Sequence, residues 1–237
     1  MGIFKPKTKD ELQTAVDLYY KNELDALNIY GPINTWNTSK IKNMNGLFEN
    51  KDNFNSDISN WDVSNVKNMK YIFFYATSFN QDISNWNVSN VTDMSGMFYG
   101  AHSFNADISL WDVSNVKNMS CMFCNNKFFN VDISNWDVSN VTNMKSMFFG
   151  TRLFNADISN WNVSKVTNIS NMFYETHSFN IDISNWDVSN VKNISSIFCN
   201  AKSFNIDISN WDTSNVKYKK DVFKNCNIKK EYKPKFK

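Results

Sequence analysis

The chain has 237 residues, 42% of them apolar and 20% charged, and its formal net charge is +2. That excludes a disordered composition and leaves enough chain for a sizeable core. No apolar run approaches the roughly 20 residues of a membrane span, and the start Met1-Gly2-Ile3-Phe4-Lys5-Pro6 lacks an apolar signal core.

Charge is unevenly spread. From Lys217 to Lys237 nine lysines face only Asp221 and Glu231, a net of +7, so the rest of the chain carries −5. With 6 Gly and 3 Pro, turns must be built from other residues. Asn, Ser and Asp are the candidates, because their side chains bond to their own backbone in turns.

In chain order, Thr8 followed by Glu11 fits a capping box, and Leu12, Val16 and Tyr19 make one face of a helix. Residues 1–32 read as an N-terminal helical cap. An internal repeat follows. All eight Trp fall 25 residues apart, from Trp36 through Trp61, Trp86, Trp111, Trp136, Trp161 and Trp186 to Trp211. A second aromatic column runs from Phe48 to Phe223, and a third from Phe54 to Phe204. Residues 33–223 thus form eight coils. One coil does not hold enough apolar residues to close a core, so its neighbours must complete it.

Within the coil that starts at Phe54, Asp57-Ile58-Ser59 alternates in polarity and suits a very short strand, with the preceding residue pointing inward. Trp61-Asp62-Val63-Ser64-Asn65-Val66 is an Asx- and Ser-rich turn region. Asn68 and its equivalents stand where helix N-caps are wanted, and segments such as Met94-Ser95-Gly96-Met97-Phe98 show apolar residues at i, i+3 and i+4. The fold class expected is a repeat solenoid, leucine-rich-repeat-like, with one short parallel strand and one short helix per 25-residue coil. The last coil departs from the pattern at Thr213, Tyr218 and Lys219, as a terminal coil must, and residues 224–237 read as a basic C-terminal cap or tail.

The run FNxDISxWDVSNVxNMxxMF resembles the repeat of the BspA-like surface-protein leucine-rich repeat family, over about Ile33 to Phe223. That repeat belongs to mycoplasma and other bacterial surface proteins, and similar repeats occur in protists and giant DNA viruses. The resemblance implies a solenoid, surface display and adhesion or protein binding, and it supplies no catalytic residues. This chain shows no signal peptide or lipobox cysteine, which points to an intracellular or virion-associated protein rather than to bacterial surface display.

Seven carboxylates stand in one column: Asp57, Asp82, Asp107, Asp132, Asp157, Asp182 and Asp207. By the period of two they face outward if Ile58 and its equivalents face inward, so they are the candidate binding surface, a negative stripe for a basic partner. The competing role is turn capping. A second column, Asp62, Asn87, Asp112, Asp137, Asn162, Asp187 and Asp212, is partly neutral. Calcium is disfavoured, since no Gly-rich calcium loop accompanies the acids. Cys124 and Cys199 share a column three coils apart, about 14 Å at strand spacing and beyond disulfide reach, so free thiols are expected. His102 and His177 are also three coils apart and cannot share a metal. They belong to a column with Lys127, Arg152 and Lys202 that reads as a cationic ridge or a solvated edge.

No catalytic constellation is present, and no cofactor or metal is expected. The function expected is a non-catalytic surface for a protein partner. The alternative is a structural component of a particle, such as a giant-virus virion protein, for which self-association would be the sign. No nucleic-acid partner is expected from the basic tail. A nearest-neighbour stack makes one prediction. Trp136→Ala, in mid-stack, should cost about 3–5 kcal/mol and more than Trp36→Ala or Trp211→Ala at the ends. Thermal melts of the three variants test this, and equal losses would argue against it.

Overall fold

The computed structural model describes residues 2–236. Helix α1, Lys9–Lys21, starts where Thr8 Oγ1 accepts the Glu11 N–H at 3.2 Å and Glu11 Oε2 accepts the Lys7 N–H at 2.6 Å. Asn22 ends α1 and begins α2, Glu23–Tyr30. Its N–H bonds to the Leu18 carbonyl, and its Oδ1 caps the Asp25 N–H. Leu12, Ala15 and Val16 bury the inner face of α1. The helix is tied to the first coil by Gln13 Nε2 donating to the Leu47 carbonyl at 3.0 Å and by the Lys51–Asp17 ion pair at 2.6 Å. No helix among the described residues is long and apolar enough to cross a membrane.

The repeat itself is a stack of turns. The expected leucine-rich-repeat-like solenoid, with a strand and a helix in each coil, is not what the chain forms. Apart from α1, α2 and two short 3-10 turns at Ile33–Thr35 and Lys230–Tyr232, the described residues make no helix, and the only β-pairing is one isolated parallel bridge between successive coils. The bridges run Asn43–Asn68–Asp93–Asn118–Asn143–Asn168–Asn193–Tyr218. They therefore fall on the column read as helix N-caps, not on the Asp57 column read as the strand.

The main-chain donors of one coil explain why. Lys67 N–H reaches back to the Lys42 carbonyl, while Met69, Tyr71, Phe73 and Tyr75 donate forward to Asp93, Ser95, Met97 and Tyr99 at 2.7–3.0 Å. The donors between them turn inward. Lys70 bonds to Asn68 Oδ1, Ile72 to the Met69 carbonyl, Phe74 to Tyr71 and Ala76 to Phe73. Alternate donors are thus committed to the neighbouring coil, and a helix would need all of them for itself. The backbone closes these turns by entering the left-handed region twice per coil. Tyr71 and Tyr75 have φ of 58° and 51°, and Asn50, Cys121, Asn125, Ser146, Asn171, Glu175, Ser196, Asn200, Asp221 and Asn225 repeat the pattern, with glycines at positions 46, 96, 100 and 150. One left-handed residue ends a right-handed helix, so two within five residues forbid it.

The supposed strand is an Asx turn. Asp57 Oδ1 accepts the Ser59 N–H at 2.9 Å, and side chains join this part of the coil to its neighbours. Asn55 Oδ1 takes the Asn80 N–H, and the Trp86 indole donates to the Ile58 carbonyl. Both bonds recur up the stack, the indole bond as far as Trp211 to Ile183.

The three aromatic columns are buried as the spacing requires, except at the last coil, where Phe223 is half-buried. Phe73 stacks on Phe79, six residues on, at 3.8 Å and on Phe98, one repeat on, at 5.6 Å with planes 7° apart. Trp136 stacks on Trp161 at 6.5 Å. Trp36 is no lightly packed end, because Phe4, Tyr19, Tyr30 and Trp61 all lie within 6.2 Å of it. Trp36→Ala should therefore cost about as much as Trp136→Ala, which corrects the expectation from position alone and leaves Trp211→Ala, whose ring meets only Phe198 among the described aromatic rings, as the end-of-stack comparison.

Gly96 separates the turn architecture from the helical reading. Its φ is +59°, and a Cβ there would strike the Tyr71 ring of the preceding coil. In a helix, Gly96→Ala would stabilise by about 0.5–1 kcal/mol. Here it should destabilise by about 1–2 kcal/mol for the backbone alone, and by less in a Tyr71→Gly background, where the clash is gone. Urea melts of the two single variants and the double variant measure both terms.

A candidate binding face

Outward positions fall into columns that run the length of the stack. The seven expected carboxylates, Asp57, Asp82, Asp107, Asp132, Asp157, Asp182 and Asp207, do form one exposed column. Each Oδ1 accepts the N–H of the serine two residues on, at 2.9–3.0 Å. These bonds hold every carboxyl below its ordinary range, the Ser59 hydroxyl and N–H being the causes at Asp57 and the Ser109 N–H and hydroxyl at Asp107. Repulsion between neighbouring coils opposes this, with Asp82 and Asp132 raising Asp107. The column is thus built into the turns and keeps a charge on each coil. The second acidic column works the same way. Asp62, Asn87, Asp112, Asp137, Asn162 and Asp187 each cap the serine two residues on, so an amide oxygen serves as well as a carboxylate.

The column four residues before the Asp57 column carries the variable residues. Position 78 is Ser in the second coil, and Ser103, Ser178 and Ser203 repeat it, but Phe128 and Leu153 stand in two consecutive coils. They are 62% and 50% exposed, and the Leu153 N–H bonds to the Lys127 carbonyl at 3.3 Å, which sets the two coils side by side. Lys127 and Arg152, both exposed, precede them in the neighbouring column. The sequence marks Lys127 and Arg152 as basic members of a column open to either a cationic ridge or a solvated edge, and that column does not by itself point to the apolar pair beside them. The signal was available as an interruption of a serine column. His102 lies farther along, with Nδ1 3.1 Å from the Asn125 carbonyl.

The thiols are free and sheltered. Cys124 and Cys199 are buried, Cys121 and Cys226 half-buried. Burial pushes the Cys124 thiol up to about 12 and raises the other three, which removes the thiolate a reactive cysteine needs. No three His, Cys, Asp or Glu side chains come together as a metal site among the described residues.

The family described as "Mycoplasma protein of unknown function, DUF285" matches residues 18–136 and again residues 122–235. The chain belongs to this family. A comparison with the curated proteins found no match. The two DUF285 matches overlap and together span nearly the whole stack, as expected for a tandem repeat in which a window of several coils fits in more than one register.

The Asp turns make the DUF285 stack acid-sensitive. A carboxyl held below its unfolded value contributes stability that is complete above that value and is lost as pH falls through the lower folded one. Melting temperature should therefore drop as pH falls below the ordinary carboxylate value of about 4. Asp107→Asn/Asp132→Asn/Asp157→Asn should flatten that limb and lower the melt at pH 7 only modestly, since Asn loses the charge but keeps the capping oxygen. A collapse at pH 7 would show that the charge, and not the acceptor, holds the turn.

Proposed function

We propose that the chain is a non-catalytic scaffold whose stacked coils present a protein-binding surface, of the kind the resemblance to BspA-like surface repeats suggests. The observation that carries this reading is the Phe128–Leu153 pair beside Lys127 and Arg152. Nearly every other column is committed to the frame: aromatic and aliphatic columns fill the core, and Asp, Asn and Ser close turns. Two exposed apolar side chains in adjacent coils have no such task, and with a basic border they suit a partner segment that combines apolar and acidic residues. The acidic column four residues on offers an opposite charge, but its carboxylates already serve the turns.

The test restores the repeat. Phe128→Ser/Leu153→Ser installs the residue that four other coils carry, so melting temperature should hold or rise slightly. Loss of a partner that the wild-type chain retains supports the reading. Undiminished retention of every partner places binding elsewhere, and the Asp107, Asp132 and Asp157 variant then tests the acidic column.

A further inference from the structure

The first coil differs from the rest in charge. Where the later coils carry the two acidic columns, it has Pro32 in line with Asp57 and Asn37 in line with Asp62. Where the second coil has Asn65, it has Lys40. Lys42 stands one coil before Lys67, whose N–H bonds to its carbonyl at 2.9 Å. The start of α1 adds Lys7 and Lys9 beside them. These four lysines line a cleft of about 600 Å³ together with Asn43 and Asn65, and no carboxylate lines it.

None of the four ammonium groups has an ion pair or hydrogen bond among the described residues, where the one ion pair is Lys51–Asp17. Asn43 uses its Oδ1 on the Asn45 N–H, which leaves its amide N–H₂ as a donor. The acids at the start of α1 do not neutralise the cluster directly. Glu11 gives its carboxylate to the Lys7 backbone N–H, and Asp10 lies outside the cleft lining. Four unpaired like charges around one concavity repel each other, and a bound polyanion would relieve that repulsion.

We propose that this cleft binds a soluble ligand carrying two or more adjacent phosphates. The chemistry selects such a ligand in two ways. The cleft offers donors, and phosphate oxygens are acceptors that one ammonium can share with the next. Its size exceeds a single phosphate, while a short phosphate chain brings negative charge comparable to four lysines. The cleft lies at the α1 end of the stack, far along the chain from the mid-stack pair Phe128 and Leu153, and does not depend on the reading of that face.

Inorganic tripolyphosphate is the probe, with the intact chain, at ionic strength matched with sodium chloride. Calorimetric titration should show saturable binding of the wild-type chain. Lys40→Gln/Lys42→Gln should weaken it by roughly tenfold or more, given the strength of charged hydrogen bonds, while Lys217→Gln/Lys220→Gln at the opposite basic end should not. Should the first variant fail to fold by circular dichroism, Lys7→Gln/Lys9→Gln replaces it. Absence of binding, or equal binding by both variants, would overturn the proposal. Vesicles of anionic phospholipid that bind the wild-type chain and are not displaced by tripolyphosphate would place the phosphates on a membrane and overturn the soluble ligand.

Discussion

Hydrogen bonds between one coil and the next, at an offset near 25 residues, are the constraint on which the other features depend. Met69, Tyr71, Phe73 and Tyr75 each send an N–H forward, and the residues between them must close turns within the coil. That alternation sets the left-handed backbone at positions 71 and 75, and with it the residues the coil can use there. Asn and Gly enter that region at little cost, and Tyr does not. The second coil nevertheless has Tyr at both positions, and the third has Gly at both, beneath the two Tyr rings. Strain in one coil and space in the next form one arrangement, so neither coil can be changed by itself.

The same offset governs the side chains. Trp donates its indole N–H to an isoleucine carbonyl one coil back, and Asn oxygens cap N–H groups one coil ahead, where main-chain pairing is absent. Phe rings interleave within and between coils at 3.7–5.9 Å along the first Phe column. A coil therefore holds its shape only while both neighbours hold theirs, which is the energetic meaning of a repeat array. The ends need other partners. At one end α1 and the ring group around Trp36 supply them. At the other the last residues take up part of the role, with Ile208 bonding to the Tyr232 carbonyl and Thr213 to that of Lys235.

Periodicity made the core legible, since the Trp and both Phe columns are buried as their spacing required, all but the terminal Phe223. It misled on local conformation for a physical reason. An i, i+3, i+4 apolar pattern arises in a helix, but also in consecutive tight turns that return Met69, Ile72 and Phe73 to the same side. Likewise Asp57-Ile58-Ser59 alternates because an Asx turn exposes its acid and buries its isoleucine, and no strand is needed. The column from position 50 to 225 carried the missing signal, since six of its eight residues, all but Tyr75 and Glu175, are Asn or Gly and favour left-handed backbone. The acidic column was legible as exposed carboxylates. That each would be engaged by the serine two residues on follows from the turn, which the strand reading had hidden.

A frame this demanding restricts where specificity can lie. A column that caps a turn or fills the core tolerates only residues that keep doing so, which is why Asn replaces Asp beside the tryptophans without loss of the bond. On the proposed reading, recognition comes from positions where a departure leaves the frame intact. Phe128 and Leu153 depart from serine without disturbing the stack, because their side chains lie outside it. Lys40 and Lys42 stand in the first coil, where α1 rather than another coil is the neighbour, and with Lys7 and Lys9 they line a cleft without carboxylates. Both sets lie where the repeat is least obliged to repeat. In a stack bound by offset hydrogen bonds, such exceptions to the columns carry more functional information than the columns themselves.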